Sequence, residues 1–398
     1  MGIATAFHEK TAPLCKSLCW KEWAGYFAVQ RFGVSVDPEY FAIRESAGLL
    51  DVSPLYKYDL TGKHAIALAD RVLARDVTKL SDGQVAYCCW CDEDGKVIDD
   101  GAIFRFSDTH LRLTSANPSF LWLDENAVGL DVEIRDTSAE IGALALQGPK
   151  SRDILKRLTQ ADLDGLRYFR MLEAKLDGFD CTISRTGFTG DLGYELWVDK
   201  AHAEKLWDLL MEAGRDYNIM PIGLLALDMA RVEAGFILAD CDYNPAFHCI
   251  TEAQKSSPFE IGLGWTVHLN KRSFVGQKAL AAEKRRGVAW ELVGLEIDME
   301  ELEKLYERRQ LPVHLPCTAW RGVVPIFDLS RRQVGRATSG VWSPLLKKNL
   351  ALATVPARFA KVGTELLFET LAEYDRELVR CRVVDKPFFD PPRKKAVL

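Results

Sequence analysis

The chain's 398 residues predict an α+β protein of two or three domains ending in a small antiparallel barrel, and three observations lead there. Nearly half of the sequence, 48%, is hydrophobic, enough to fill several cores at the usual domain size. Between about 56 and 142 the pattern becomes short strands with two helices, which suits a compact α+β insert. Beyond about 286 come strand-like stretches separated by turn residues, which suit a barrel.

Taken in order, Cys15 and Cys19 are four apart in a stretch readable as a helix and suit small core residues. Asp37-Pro38 reads as an N-cap followed by proline at the first helical position, with Gly48 as the stop, giving a helix over about 38–47. Lys57-Tyr-Asp-Leu60, Gln84–Cys91 and His110-Leu-Arg-Leu-Thr114 read as strands. Pro149, just after Gly148, opens a helix with Ile154, Leu155 and Leu158 on one face. Leu206, Trp207, Leu209, Leu210 and Ala213 have the spacing of an amphipathic helix. The barrel strands include Leu292–Ile297, Val334–Thr338 and Leu378–Val384. No internal repeat or low-complexity tract is present.

A net charge of −6 with both signs interspersed argues against a nucleic-acid partner, which would require a concentrated basic face. The basic run Pro391-Pro-Arg-Lys-Lys395 reads as a short solvated tail. No apolar run approaches a membrane span and the N-terminus mixes charge into its apolar stretches, so the expectation is a soluble cytoplasmic protein with no membrane partner. Ten cysteines in such a chain are expected to be reduced thiols. Cys88 and Cys91 have a Cys-x-x-Cys spacing, but on a strand they face opposite ways, and no histidine or second pair completes a tetrahedral set; no metal is expected.

The richest segment for binding is Ser184-Arg-Thr-Gly-Phe-Thr-Gly-Asp-Leu-Gly-Tyr-Glu195, which delivers one carboxylate to the start of the apolar strand Leu196-Trp-Val198. Glycines at 187, 190 and 193 permit positive φ or close approach, and Thr186, Thr189 and Asp191 can fix the turns. A glutamate so held can accept parallel hydrogen bonds from a planar N–H/NH2 edge, such as a pterin's. Read by itself, the segment is also an ordinary glycine-rich hairpin.

Eight segments in order give the chain a family resemblance. They are Ala42–Ser53, Asp92–Asp100, Leu146-Gln-Gly-Pro-Lys150, the 184–196 loop, Asp228-Met-Ala-Arg-Val-Glu-Ala-Gly235, Pro258–Trp265, Phe274-Val-Gly-Gln-Lys278 and Thr338–Pro344. Together they resemble the glycine-cleavage T-protein superfamily of tetrahydrofolate-dependent one-carbon transferases. The resemblance implies a three-domain cloverleaf around a central folate channel: a folate-binding domain split as 1–55 and 143–285, a ferredoxin-like α+β insert at 56–142, and a barrel at 286–398. It also implies that residues near 100 and 195 line one pocket. Asp100 is then the catalytic carboxylate that polarises the carbon-accepting nitrogen, and Glu195 pairs with the pterin edge. Tyr87, Asn117, Leu55 and Phe188 lie along the folate site, and Tyr243 and His248 are candidate donor contacts. Without the resemblance, Asp99 and Asp100 read as turn and strand-end residues after Asp94-Gly95. Arg231 and Glu233, close to Asp228, read as an ion-pair network within a helix.

The chain departs from the T-protein pattern at Leu227, where that subgroup carries arginine before the family aspartate, and at Phe104, Phe188 and Phe236, where tyrosines are common. These changes remove a positive charge and three hydroxyls from the expected pocket. They favour methyl transfer from a small methylated donor to tetrahydrofolate, as in the demethylase-like branch. The alternatives are an aminomethyltransferase acting on a lipoylated carrier protein, a non-catalytic folate-binding protein, and the partner of a flavin oxidoreductase. The chain lacks the Lys-Gly-Cys-Tyr-type signature of the non-catalytic proteins, reading Lys271–Gly276 instead, and it has no Gly-x-Gly-x-x-Gly dinucleotide fingerprint of its own.

Overall fold

A computed structural model describes residues 2–397. Its centre is a six-stranded sheet in the order Met171–Leu176, Phe179–Ser184, Gly193–Asp199, Ile141–Gln147, Ala47–Asp51, Ile219–Pro221, antiparallel except for the last pair. The Ile141–Gln147 strand explains why both sheet faces are covered. Leu144 and Leu146 point into one core with Leu196 and Val198, while Ala143 and Ala145 point into another with Trp197. A strand apolar on both sides needs a layer on each side. The amphipathic helix Ala203–Ala213 fills the first core through Leu206, Trp207 and Leu210, leaving Leu209 half-buried. The second core is shared by residues from the sheet, the insert and the barrel, including Val85, Phe104, Val341 and Leu350.

The insert is a wholly antiparallel five-stranded sheet, in the order Gln84–Cys91, Val97–Ser107, His110–Ser115, Tyr56–Thr61, Glu133–Asp136, with helices Ala65–Val72 and Phe120–Ala127. The C-terminal barrel is closed: Trp290–Ile297 pairs with both Lys348–Pro356 and Asp375–Val384. Among the described residues no helix is long and apolar enough to cross a membrane.

Five local expectations need correction. The helix expected over 38–47 runs Asp37–Glu45 with Val36 as its N-cap, and Gly48 lies inside the strand Ala47–Asp51 instead of ending the helix. The helix after Pro149 is the short Ser151–Leu155, which leaves Leu158 beyond it. Cys15 and Cys19 share no helix: Cys15 follows the turn Ala12–Leu14, and Cys19 begins the strand Cys19–Trp23. Arg231 and Glu233 do form ion pairs, but these leave their own helix. Arg231 reaches Asp242 at 2.6 Å and Ser339 of the barrel at 2.7 Å, besides Asp228 at 2.7 Å, and Glu233 takes Arg44 at 2.6 Å and the Ser343 hydroxyl.

The fifth correction is the basic run at the C-terminus. Pro392–Lys394 is a helical turn docked on the 184–196 loop, not a solvated tail. Arg393 forks onto the buried Asp191 at 2.7 and 2.8 Å, Lys394 is buried, and Arg185 donates to the carbonyls of Arg393, Lys394 and Ala396. Composition reads a charge run as solvated; here a buried carboxylate and a buried guanidinium recruit it.

Candidate active site

Strand register assembles the site. Cys89 lies opposite Asp100 and Tyr87 opposite Ala102, so Tyr87, Cys89, Asp100 and Ala102 share one face. Asp99, opposite Trp90, turns to the other face. The same alternation separates Cys88 and Cys91, which pack into different cores.

Asp100 accepts two phenolic hydroxyls, those of Tyr87 and Tyr243. Tyr87 reaches it across the hairpin, whereas Tyr243 arrives from far along the chain. The position of Tyr243 is set by its neighbour Asp242. That buried carboxylate is fixed by Arg231 at 2.6 Å, Thr338 at 2.7 Å, Ser339 at 2.6 Å and the Leu238 amide at 2.9 Å. The helix Leu224–Glu233 and the barrel therefore jointly hold the loop that brings Tyr243 to the insert.

Burial pushes the Asp100 carboxyl above its usual range, and the hydroxyls of Tyr243 and Tyr87 pull it back part of the way. Both phenols are pushed well up, first by burial and then by the Asp100 charge, and so stay protonated donors. Asp99 is fully buried and accepts the amides of Asp100 at 2.9 Å and Asn117 at 2.7 Å; burial and the Asp100 charge push it well up. The arrangement offers one desolvated carboxylate able to take a proton, with both phenolic protons engaged in holding it.

Glu195 stands opposite Ala145, two residues before Trp197, on the face of the central sheet that packs against Val85 and Phe104 of the insert. The two halves touch directly: the Val85 amide donates to the Phe169 carbonyl at 3.0 Å, and Phe104 meets Trp197 edge-on at 5.4 Å. Burial raises the Glu195 carboxyl, opposed by the Thr186 hydroxyl, which donates to Oε2 at 2.5 Å. Its Oε1 has no partner among the described residues. The turns around it are built on Gln147. Its amide donates to the carbonyls of Thr186 and Tyr194 at 3.2 and 3.3 Å and accepts the Thr189 hydroxyl at 2.8 Å. A Cβ on Gly187 or Gly193 would lie 2.1 or 2.3 Å from that amide, so both glycines are needed for close approach, and Gly190 alone of the three has positive φ, +72°.

The other candidates fall into place unevenly. Leu55 packs on the shared core, and the buried Lys57 holds its turn by donating to the carbonyls of Ser53 and Leu55, both at 2.7 Å. Phe188 stacks on Phe236 at 5.4 Å. Asn117 reaches Asp99 through its peptide, and its side-chain Nδ2 is enclosed without a partner. His248 is not brought to Asp100: its half-exposed ring pairs with Asp240 at 2.9 Å. Phe104 is a buried core residue. Gln147 and Trp265, which stacks on Tyr87 at 6.0 Å, were not singled out from the sequence. Gln147 lay inside a family segment, but only the clamp between two glycines reveals its work.

A central sheet, an antiparallel insert and a closed barrel that share one core are the architecture the T-protein resemblance implied. The chain matches the GCVT N-terminal domain over residues 4–271 and the glycine cleavage T-protein C-terminal barrel domain over 291–390. It is 34% identical over 356 residues to an aminomethyltransferase of Desulfitobacterium hafniense (strain DSM 10664 / DCB-2), covering 88% of this chain and 89% of that one. It is 33% identical over 380 residues to one of Caldanaerobacter subterraneus subsp. tengcongensis, covering 94% and 93%. The crystal structure of glycine cleavage system aminomethyltransferase T from Bartonella henselae matches its fold with a TM-score of 0.82 at 23% identity, covering 98% of this chain and 99% of that one. The chain belongs to the glycine-cleavage T-protein family, and is an enzyme of its folate-dependent one-carbon transferase class.

Proposed function

We propose that this enzyme moves a one-carbon unit onto tetrahydrofolate from an aminomethyl group borne by a lipoylated carrier protein. The donor is supported by the relatives named aminomethyltransferase, which align over about nine-tenths of the chain. The chemistry is carried by one observation: Asp100 is a desolvated carboxylate receiving two phenolic hydroxyls. In this reading the first folate nitrogen bonds the donor carbon as that carbon's bond to the lipoyl sulfur breaks. Asp100 takes the proton this nitrogen sheds, the departing thiolate gains one, and the amino group leaves as ammonia with the proton of the second folate nitrogen as the methylene bridge closes, while Tyr87 and Tyr243 hold Asp100 in place. Glu195, with Oε1 open, accepts from the pterin edge; the Asn117 amide, enclosed without a partner, supplies a donor. Leu55, Phe188 and Tyr87 provide apolar walls and exclude water. The proposed domain division is 1–55 with 143–285, 56–142 and 286–398, the folate lying where the three meet, and the proposed setting is the cytoplasm.

A second reading, transfer of a methyl group from a small methylated donor, is favoured by Leu227, Phe188 and Phe236, which take a charge and two hydroxyls away from the donor side. Product analysis separates the two. Purified protein is incubated with tetrahydrofolate and, in parallel, an aminomethylated lipoyl carrier or a panel of methylated small molecules. The first reading predicts 5,10-methylenetetrahydrofolate from the carrier, the second 5-methyltetrahydrofolate from a small donor. No one-carbon product from either would count against both.

A further inference from the structure

Tyr87 has a second neighbour besides Asp100. The ring of Trp265 stacks on it with centroids 6.0 Å apart and planes 15° from parallel, yet Trp265 is 57% exposed. On the same indole lies the guanidinium of Arg75, its central carbon 5.4 Å from the centroid. The cations around Arg75 are already satisfied: Lys271 pairs with Asp70 at 2.8 Å and Lys79 with Asp76 at 2.9 Å. Arg75 has no carboxylate partner among the described residues, and its Nη1 is enclosed without any hydrogen-bond partner. Burial acts against its charge, and no anion offsets the cost. A rigid fork of donors left unpaired beside an exposed aromatic face is the arrangement that takes a carboxylate in bidentate fashion, while the ring carries the flat part of the same molecule.

We infer that Arg75 and Trp265 form a carboxylate-binding site beside the Asp100–Tyr87 pair. The inference rests on the folate-dependent transferase reading for its biological source, because two reactants of that reaction can present a carboxylate there: the glutamyl tail of tetrahydrofolate, or the one-carbon donor itself. Either way Arg75 orients a reactant by a group remote from the reacting atoms, and the binding energy so gained is available for positioning.

The test is calorimetric titration of the full chain, wild type, Arg75→Met and Arg75→Lys, with four probes: tetrahydrofolate triglutamate, tetrahydropteroate (the same molecule without glutamate), benzoate, and neutral benzamide. A charge-assisted bidentate contact predicts that Arg75→Met weakens a carboxylate-bearing probe about ten- to hundred-fold and leaves tetrahydropteroate and benzamide unchanged. Loss confined to the triglutamate assigns the site to the folate tail. Loss of benzoate with folate affinity kept assigns it to the donor. Should Arg75→Met fail to fold, Arg75→Lys, which keeps the charge but not the fork, is expected to lose several-fold on the same probe. Equal affinity of the folded variants and wild type for both anions, or no binding of either anion to wild type, overturns the site. Failure of wild type to bind tetrahydropteroate and the triglutamate would instead overturn the folate reading, with the benzoate arm still deciding Arg75.

Discussion

Replacing Tyr243 by phenylalanine removes one of the two hydroxyls that stabilise the Asp100 carboxylate and leaves the ring volume in place. Burial raises this carboxyl, and the phenols oppose it, so losing one must raise it further. A hydrogen bond to a charged acceptor contributes about 1.5–3 kcal/mol, and about 1.36 kcal/mol corresponds to one pKa unit, so the expected rise is about one to two units. The assay is a carbon-13 titration of protein labelled at the aspartate carboxyls, with Asp100→Asn used to assign the resonance. Tyr87→Phe should give a rise of the same sign. Because Asp100 must be ionised to take a proton, the acid limb of kcat/KM should move to higher pH in both variants. An unchanged or lowered Asp100 titration in both would refute the argument that the phenols hold its charge.

Three further outcomes follow from the geometry. Asp100→Asn should still fold cooperatively, with a small loss of stability because the amide accepts only one of the two phenols, and should lower turnover about 10²- to 10⁴-fold in the product assay. Asp99→Asn should do the reverse, costing about 1–3 kcal/mol in urea unfolding, because an amide cannot accept both the Asp100 and Asn117 N–H groups as the carboxylate does, with a much smaller loss of turnover. Asp242→Asn breaks a buried ion pair with Arg231 and should cost about 3–5 kcal/mol in stability while also lowering turnover, since Tyr243 loses its anchor; urea unfolding and the product assay check the two effects.

The elements legible in the sequence were those whose pattern is local. The insert strands, the helix over Leu206–Ala213 and the three barrel strands could be read because apolar period or turn punctuation marks each within about ten residues. The opposite facing of Asp99 and Asp100, and of Cys88 and Cys91, followed from strand alternation alone. What could not be read depends on contacts far apart in the chain. Asp242 and Arg231 meet Ser339 of the barrel, and Arg393 meets Asp191 across 202 residues, so neither the anchoring of Tyr243 nor the docking of the basic C-terminal run has a local signature. The pairing of the half-exposed His248 ring with Asp240, eight residues earlier, likewise has no signature in the loop's sequence. Gly48 looked like a helix stop because punctuation does not distinguish a glycine ending a helix from one in the strand that follows.

The central claim is that Glu195 and Asp100 serve one tetrahydrofolate molecule in different ways, the first by binding and the second by chemistry. Calorimetric titration of tetrahydrofolate into wild type, Glu195→Gln and Asp100→Asn tests it without knowledge of the donor. Wild type should bind one equivalent. Glu195→Gln should lose about 1.5–3 kcal/mol, because the amide cannot accept both contacts from the pterin edge, whereas Asp100→Asn should lose only a small fraction of that. No saturable binding to wild type, or affinity unchanged in Glu195→Gln, would contradict the account.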